Sequence, residues 1–167
     1  DVITGYFDVN TAKSIKNRLG TVDIITGSNA FAHNDKPEKI LEAAKYILNE
    51  KGHLCLELMY AGDLLEMQQW DTLYHEHLTF YSLNSLIILL KRHGFKIVHA
   101  ERIKMHGGSL RISATLNHNE KPNISVAKIL NYEKETSLSD PNIWMAFGRN
   151  IEKKIGVVRD TLLKLSK

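Results

Sequence analysis

Cysteine is nearly absent from this 167-residue sequence: its one thiol, Cys55, lies inside the apolar run Leu54-Cys55-Leu56. A disulfide framework and a thiolate zinc cluster within the chain are thereby excluded, and a reducing, cytoplasmic setting fits. Apolar runs stay well short of the roughly 18 residues that a membrane span needs, and no charged-then-apolar leader opens the chain. Positive charge is not concentrated either. The 22 Lys and Arg stand against 19 Asp and Glu, a formal +3 without a basic block, which gives nucleic-acid binding little support. There is no internal repeat, low-complexity tract or obvious linker. The chain lacks an initiating Met and moves from Asp1-Val2-Ile3-Thr4 directly into structured-looking sequence, so a piece of a longer protein is expected.

What is present is a globular composition, 43% hydrophobic and 25% charged, with an unusual eight histidines. Asn10 or Thr11 can cap a helix carrying Ala12, Ile15 and Leu19 and ending at Gly20. The β-branched run Val22 to Thr26 reads as a buried parallel strand that exits through Gly27-Ser28-Asn29. Asp35 is placed to cap a second helix, with Pro37 in its first turn and Ile40, Leu41, Ala44, Ile47 and Leu48 on one stripe, ending near Gly52. Leu54 to Met59 reads as a second buried strand interrupted by Glu57, a carboxylate that must be paired or functional. Tyr60 and Gly62 open a loop with a short helical turn. Ser82 caps a helix through Leu86, Ile87, Leu89 and Leu90 to Gly94. Phe95 to Ile103 and Leu110 to Leu116 then form a hairpin about His106-Gly107-Gly108-Ser109. Helical patterns follow near Ile124 to Glu135 and from about Pro141 to Leu165, with Trp144 and Phe147 as packing residues. The class is α/β, mainly parallel, with an antiparallel hairpin at its edge. In such sheets ligands sit beyond the C-terminal strand ends, which places Gly27 to His33 and Tyr60 to Phe80 on one crevice.

Chemistry is densest from Trp70 to Ser82, where Tyr74, His75, Glu76 and His77 stand consecutively between Leu73, Leu78 and Phe80. The apolar frame predicts that the segment turns inward, where titratable groups are shifted. Three readings fit. The imidazoles satisfy buried backbone groups; or His75 and His77, on one face of an extended segment, bind a metal, although the helical HExxH spacing is absent; or one His is a general base oriented by Tyr or Glu. His33 is structural or, by its place in the crevice, functional. Glu57 could bind a ligand or hold an imidazole. The glycines at 107 and 108 would admit a phosphate or sugar close to the backbone, and Arg111 could pair with an anion.

Asn29-Ala-Phe-Ala-His33, Asp71-Thr-Leu-Tyr-His-Glu-His77 with Phe80-Tyr81-Ser82, and His106-Gly-Gly-Ser-Leu-Arg111 together resemble the S-adenosylmethionine-dependent C-methyltransferases that act on nucleotide-linked 4-keto deoxysugars. The resemblance implies the C-terminal half of a class I, Rossmann-like methyltransferase sheet over residues 1–120, followed at 121–167 by helices leading into a truncated substrate domain. It implies His77 as the base, with Tyr74, Glu76 and His33 beside it and His75 a bystander. Asn29 and Phe31 would face the cofactor, and Tyr60, His106, Gly107, Gly108 and Arg111 the nucleotide sugar. The family's N-terminal zinc-binding region and glycine-rich cofactor loop have no counterpart in this sequence, so the chain alone is expected to be inactive. Self-association through an exposed sheet edge is expected too. Convergence of Tyr74, Glu76 and His77 requires an irregular turn, since in a regular strand alternate side chains point apart. The rival readings are a non-catalytic α/β binding domain and a metal-dependent sugar-modifying enzyme using His75 and His77.

Overall fold

The structure, a computed structural model, describes residues 2–166. Helix α1 (Val9–Leu19) starts where the Asp8 carboxylate accepts the Thr11 N–H at 2.9 Å; that bond also holds the Asp8 pKa below its ordinary value. The cap is therefore Asp8 and not Asn10 or Thr11. Strand β1 (Val22–Ser28) leads through a short 3-10 turn, Phe31–His33, to helix α2 (Pro37–Ile47). Pro37 occupies the first turn as expected, but Lys36 holds the cap position and Asp35 makes no capping bond to the helix. Strand β2 (Leu48–Met59) begins earlier than its apolar run suggests, because Leu48 is already extended (φ −65°, ψ 137°) and pairs with Val22. After α3 (Ala61–Met67), helix α4 (Leu83–Arg92) opens on a capping box in which Ser82 and Ser85 bond reciprocally. Strands β3 (Lys96–Ile103) and β4 (Ser109–Thr115) form the expected hairpin, and helices α5 (Ile124–Glu135) and α6 (Pro141–Leu165) close the chain.

The sheet order is β1-β2-β4-β3. Strands β1 and β2 are parallel, and β4 runs antiparallel to both of its neighbours, so three strands share one direction and the hairpin forms one side of the sheet. Period-two alternation gives the sheet unlike faces. Leu54, Leu56 and Leu58 of β2 and Leu110, Ile112 and Ala114 of β4 are buried against Leu41 and Ala44 of α2 and Leu83, Leu86 and Leu90 of α4. The other face carries half-exposed Cys55, Glu57 and Ser113 and exposed Arg111. Strand β1 departs from the expected buried strand: Ile24 is 63% exposed, because β1 is an edge strand whose second face is uncovered. Leu19 also faces solvent. Helix α5 joins the same core through Val126 and Ile129, and the Asn123 N–H donates to the Val98 carbonyl at 2.7 Å. Trp144 and Phe147 pack edge to face, their centroids 5.9 Å apart, as read from sequence. No helix among the described residues is long and apolar enough to cross a membrane.

Candidate functional site

The C-terminal ends of β1 and β2 and the β3–β4 turn converge on a cavity of about 370 Å³ lined by Asn29, His33, Met59, Asp71, Thr72, Tyr74, His77 and His106. Both loops predicted to share a crevice do so. Asn29 sits at the end of β1 in the left-handed region (φ 50°), and the 3-10 turn after it carries His33 to the cavity wall. On the other side the chain leaves α3, makes a 3-10 turn at Trp70–Thr72 and a tight turn in which the His77 N–H donates to the Tyr74 carbonyl at 3.0 Å. That turn is the irregular geometry required to bring Tyr74 and His77 together.

Hydrogen bonding fixes the state of His77. Its Nδ1 lies 2.8 Å from the Thr72 carbonyl, which can only accept, so Nδ1 carries the proton of the neutral ring. Nε2 then holds the lone pair and accepts from the Tyr74 hydroxyl at 2.9 Å. The His33 ring meets His77 edge-on at 4.9 Å, Phe80 meets it at 5.7 Å, and the Tyr74 ring lies 4.0 Å away. A phenol, an imidazole of defined tautomer and a second imidazole thus share one opening, the kinds of group that general acid–base chemistry uses. The segment is not drawn inside, however: Leu73 and Leu78 are exposed, so the turn is held by these bonds and ring contacts and not by an apolar frame.

Other expected residues fall elsewhere. Glu76 and His75 are exposed and do not line the cavity. Phe31 is 1% exposed and its ring, tilted against Tyr81 with centroids 5.6 Å apart, belongs to the core. Tyr60 is likewise 1% exposed; its hydroxyl donates to Glu133 at 3.0 Å, and burial with that carboxylate pushes its pKa far above the ordinary phenol value. Its hydroxyl is thus engaged within the fold, tying β2 to α5. Arg111 pairs with Glu57 at 2.8 Å and Glu101 at 3.0 Å on the open sheet face and does not line the cavity. Glu57 also accepts from Ser28 at 3.0 Å, and the Arg111 bonds hold its pKa below the usual carboxylate value. Gly107 and Gly108 turn their backs on Gln69 and Asp63, outside the cavity lining. Among the described residues, no three His, Cys, Asp or Glu side chains gather to hold a metal ion.

Sequence reasoning missed Thr72, which acts through its main-chain carbonyl and leaves no side-chain signature. It also missed Asp63, 2% exposed beneath the hairpin turn. Burial raises the Asp63 pKa, against the opposing pull of Arg102, which binds it; Arg102 also reaches Glu66 at 2.6 Å and stacks over Tyr132 at 4.4 Å. A carboxylate within the buried stretch Ala61–Leu64 was the available signal.

A family model described as a methyltransferase domain matches residues 4–100. The chain belongs to this methyltransferase family. A second model, the C-methyltransferase C-terminal domain, matches residues 104–167, so the two are separated by the last residues of β3. The C-methyltransferase NovU of Streptomyces niveus is 27% identical over 163 residues, covering 96% of this chain. The chain spans 38% of that relative's length. A solved S-adenosylmethionine-dependent methyltransferase from Anabaena variabilis superposes with a TM-score of 0.51 at 12% identity, over 68% of this chain and 57% of that one, a likeness of fold alone. The methyltransferase chain thus has the α/β, class I Rossmann-like architecture expected from its sequence.

Proposed function

We propose that this chain carries the acceptor side of an S-adenosylmethionine-dependent C-methyltransferase acting at a carbon next to the ketone of a nucleotide-linked deoxysugar. The observation that supports it most is the Thr72–His77–Tyr74 relay beside His33, in a chain whose C-terminal residues match a C-methyltransferase model. A proton next to a ketone becomes removable by a neutral imidazole when a donor stabilises the developing enolate oxygen. The Tyr74 hydroxyl, released from Nε2, turns to the developing enolate oxygen and frees the lone pair that takes the proton. Thr72 stabilises the imidazolium by holding Nδ1–H. General-base catalysis of this kind contributes about a hundredfold to ten-thousandfold, and a donor at the enolate oxygen adds to it. His33 is the second candidate base, and His106 closes the acceptor side.

Of the residues toward the cofactor, this chain offers Asn29 at the cavity; the group fits only as far as that one wall. When bound, the cofactor supplies an electrophilic methyl group to the carbon that has lost its proton. The glycine-rich loop that cradles it, and a zinc-binding region, are assigned to other parts of a longer polypeptide, and the chain alone is inactive. Residues 1–120 form the partial methyltransferase domain and the helices after 121 lead into the substrate domain. The free edge of β1 supports self-association.

The test is deuterium exchange. In solvent deuterium the longer polypeptide washes label into the carbon beside the ketone of a 4-keto nucleotide sugar, and His77→Asn abolishes the exchange. Normal exchange in that variant would move the base to His33.

A further inference from the structure

We infer that Gln69 is a positioning residue that holds the two walls of the cavity in register. The inference draws on the acceptor-site reading only for its catalytic consequence. Gln69 follows α3, and its N–H donates to the Leu64 carbonyl at 3.1 Å, which fixes it to the end of that helix. Its own carbonyl accepts from the Thr72 N–H at 3.2 Å and from the Thr72 hydroxyl at 2.7 Å. Thr72 is the residue whose carbonyl sets the His77 tautomer, so this wall hangs from the Gln69 main chain. The Gln69 side chain reaches the other way: its Nε2 donates to the Gly107 carbonyl, one residue after His106.

His106 needs such support. It sits at φ 50°, ψ 35°, a left-handed conformation that costs an L residue free energy and persists only where its surroundings over-determine it. What surrounds the turn is tight. A Cβ at Gly107 (φ +81°) would lie 2.6 Å from Gln69 Nε2, and one at Gly108 (φ +124°) 2.5 Å from the Asp63 side chain. Asp63 is anchored by Arg102, whose partners Glu66 and Tyr132 are themselves bonded at 2.8 Å. Asp63 therefore supports one wall. Gln69 bonds to both, and it does so across the junction between the two family models, with Thr72 on the first and Gly107 on the second. Without its side-chain donor the Gly107 carbonyl loses its tether, and the His106 imidazole drifts relative to His77.

Histidine NMR on the 167-residue chain tests this without any turnover. In Gln69→Met, which keeps length but cannot donate, the His106 ring resonances move and those of His77 move less. His93 and His118, which do not line the cavity, stay in place. Gln69→Glu, which sets a carboxylate against the Gly107 carbonyl, moves them further, and Gln69→Lys, which restores a donor, returns them. Unchanged His106 signals in a folded Gln69→Met, or equal shifts at every histidine, overturn the inference. A variant-free check guards against misfolding: the Gln69 side-chain amide protons of the unaltered chain exchange slowly, and exchange as fast as that of a free glutamine overturns it. In the longer enzyme the same Met variant lowers kcat with little change in KM, by an order of a hundredfold if the acceptor is misplaced by about 1 Å. Loss of deuterium wash-in from the unaltered enzyme would fail the acceptor-site reading but leave these NMR outcomes untouched.

Discussion

Glu133→Gln offers a measurable test of how α5 is fastened to the rest of the fold. Glu133 is 5% exposed and accepts three bonds: from the Tyr60 hydroxyl at 3.0 Å, the Leu83 N–H at 2.5 Å and the Asn84 N–H at 3.0 Å. The two amides belong to the first turn of α4, where a carboxylate also meets the positive end of the helix dipole. Glutamine has the same shape but only one acceptor oxygen, and its NH₂ meets a backbone N–H in either orientation: that of Asn84, or that of Leu83 together with the phenol. Hydrogen bonds to a charged group contribute roughly 1.5–3 kcal/mol each, and the helix-end interaction roughly 0.3–2. With about half of the set retained, the substitution costs about 2–4 kcal/mol, read by urea unfolding at pH 7. For a chain of this size that corresponds to a fall in Tm of roughly 5–15 °C. Tyr60→Phe alone costs about 1.5–3 kcal/mol, and less in the Glu133→Gln background, because the bond it removes is already compromised. A loss below about 0.5 kcal/mol for Glu133→Gln, the usual range for surface changes, would refute the assignment of Glu133 as the link between Tyr60 and α4.

Arg111→Met lowers stability at pH 7, and the deficit depends on pH through Glu57. Because the folded Glu57 pKa lies below its ordinary 4.5, the contribution is fully present above that value and disappears as pH falls through the folded value; a series of urea titrations from pH 7 downward checks it, and a deficit that does not shrink at all with falling pH contradicts it. Gly108→Ala combines a forbidden φ with a clash against Asp63, and costs at least about 1–3 kcal/mol by thermal unfolding. Ile24→Lys, on the uncovered face of edge strand β1, shifts the chain toward monomer in light scattering; a clean monomer before substitution removes the edge-association reading.

Much of the fold is legible in the sequence because local chemistry and pattern agree: Ser82 with Ser85 at α4, Pro141 at the head of α6, and two glycines between alternating strands. The bounds fail where a neighbour decides. Leu48 is a helix-stripe residue by spacing, but pairing with Val22 makes it a strand. Val22 to Thr26 has the composition of a buried strand, yet burial depends on what covers it, and β1 has a neighbour on one side only. At the site, His77, Tyr74 and His33 were visible as a cluster of chemistry at strand ends, and the need for an irregular turn followed from the side chains that had to meet. Phe31 and Tyr60 stand at the same strand ends and were read as ligand contacts; aromatic residues there serve the core equally well, and only packing separates the two roles. By sequence alone Arg111 could pair with an anion; its partners are Glu57, 54 residues away and adjacent only through the sheet register, and Glu101, which faces it across the hairpin.

The Thr72 carbonyl carries a methodological consequence. Side-chain scanning is blind to it: Thr72→Ser keeps both the hydroxyl that bonds Gln69 and the main-chain acceptor, and the position would score as tolerant. Its contribution becomes visible through backbone chemistry, by replacing the amide between residues 72 and 73 with an ester, whose carbonyl is a weaker acceptor. That replacement loosens the grip on Nδ1–H, lets the other tautomer compete, and lowers the share of His77 in the tautomer the proposed base requires, without altering any side chain.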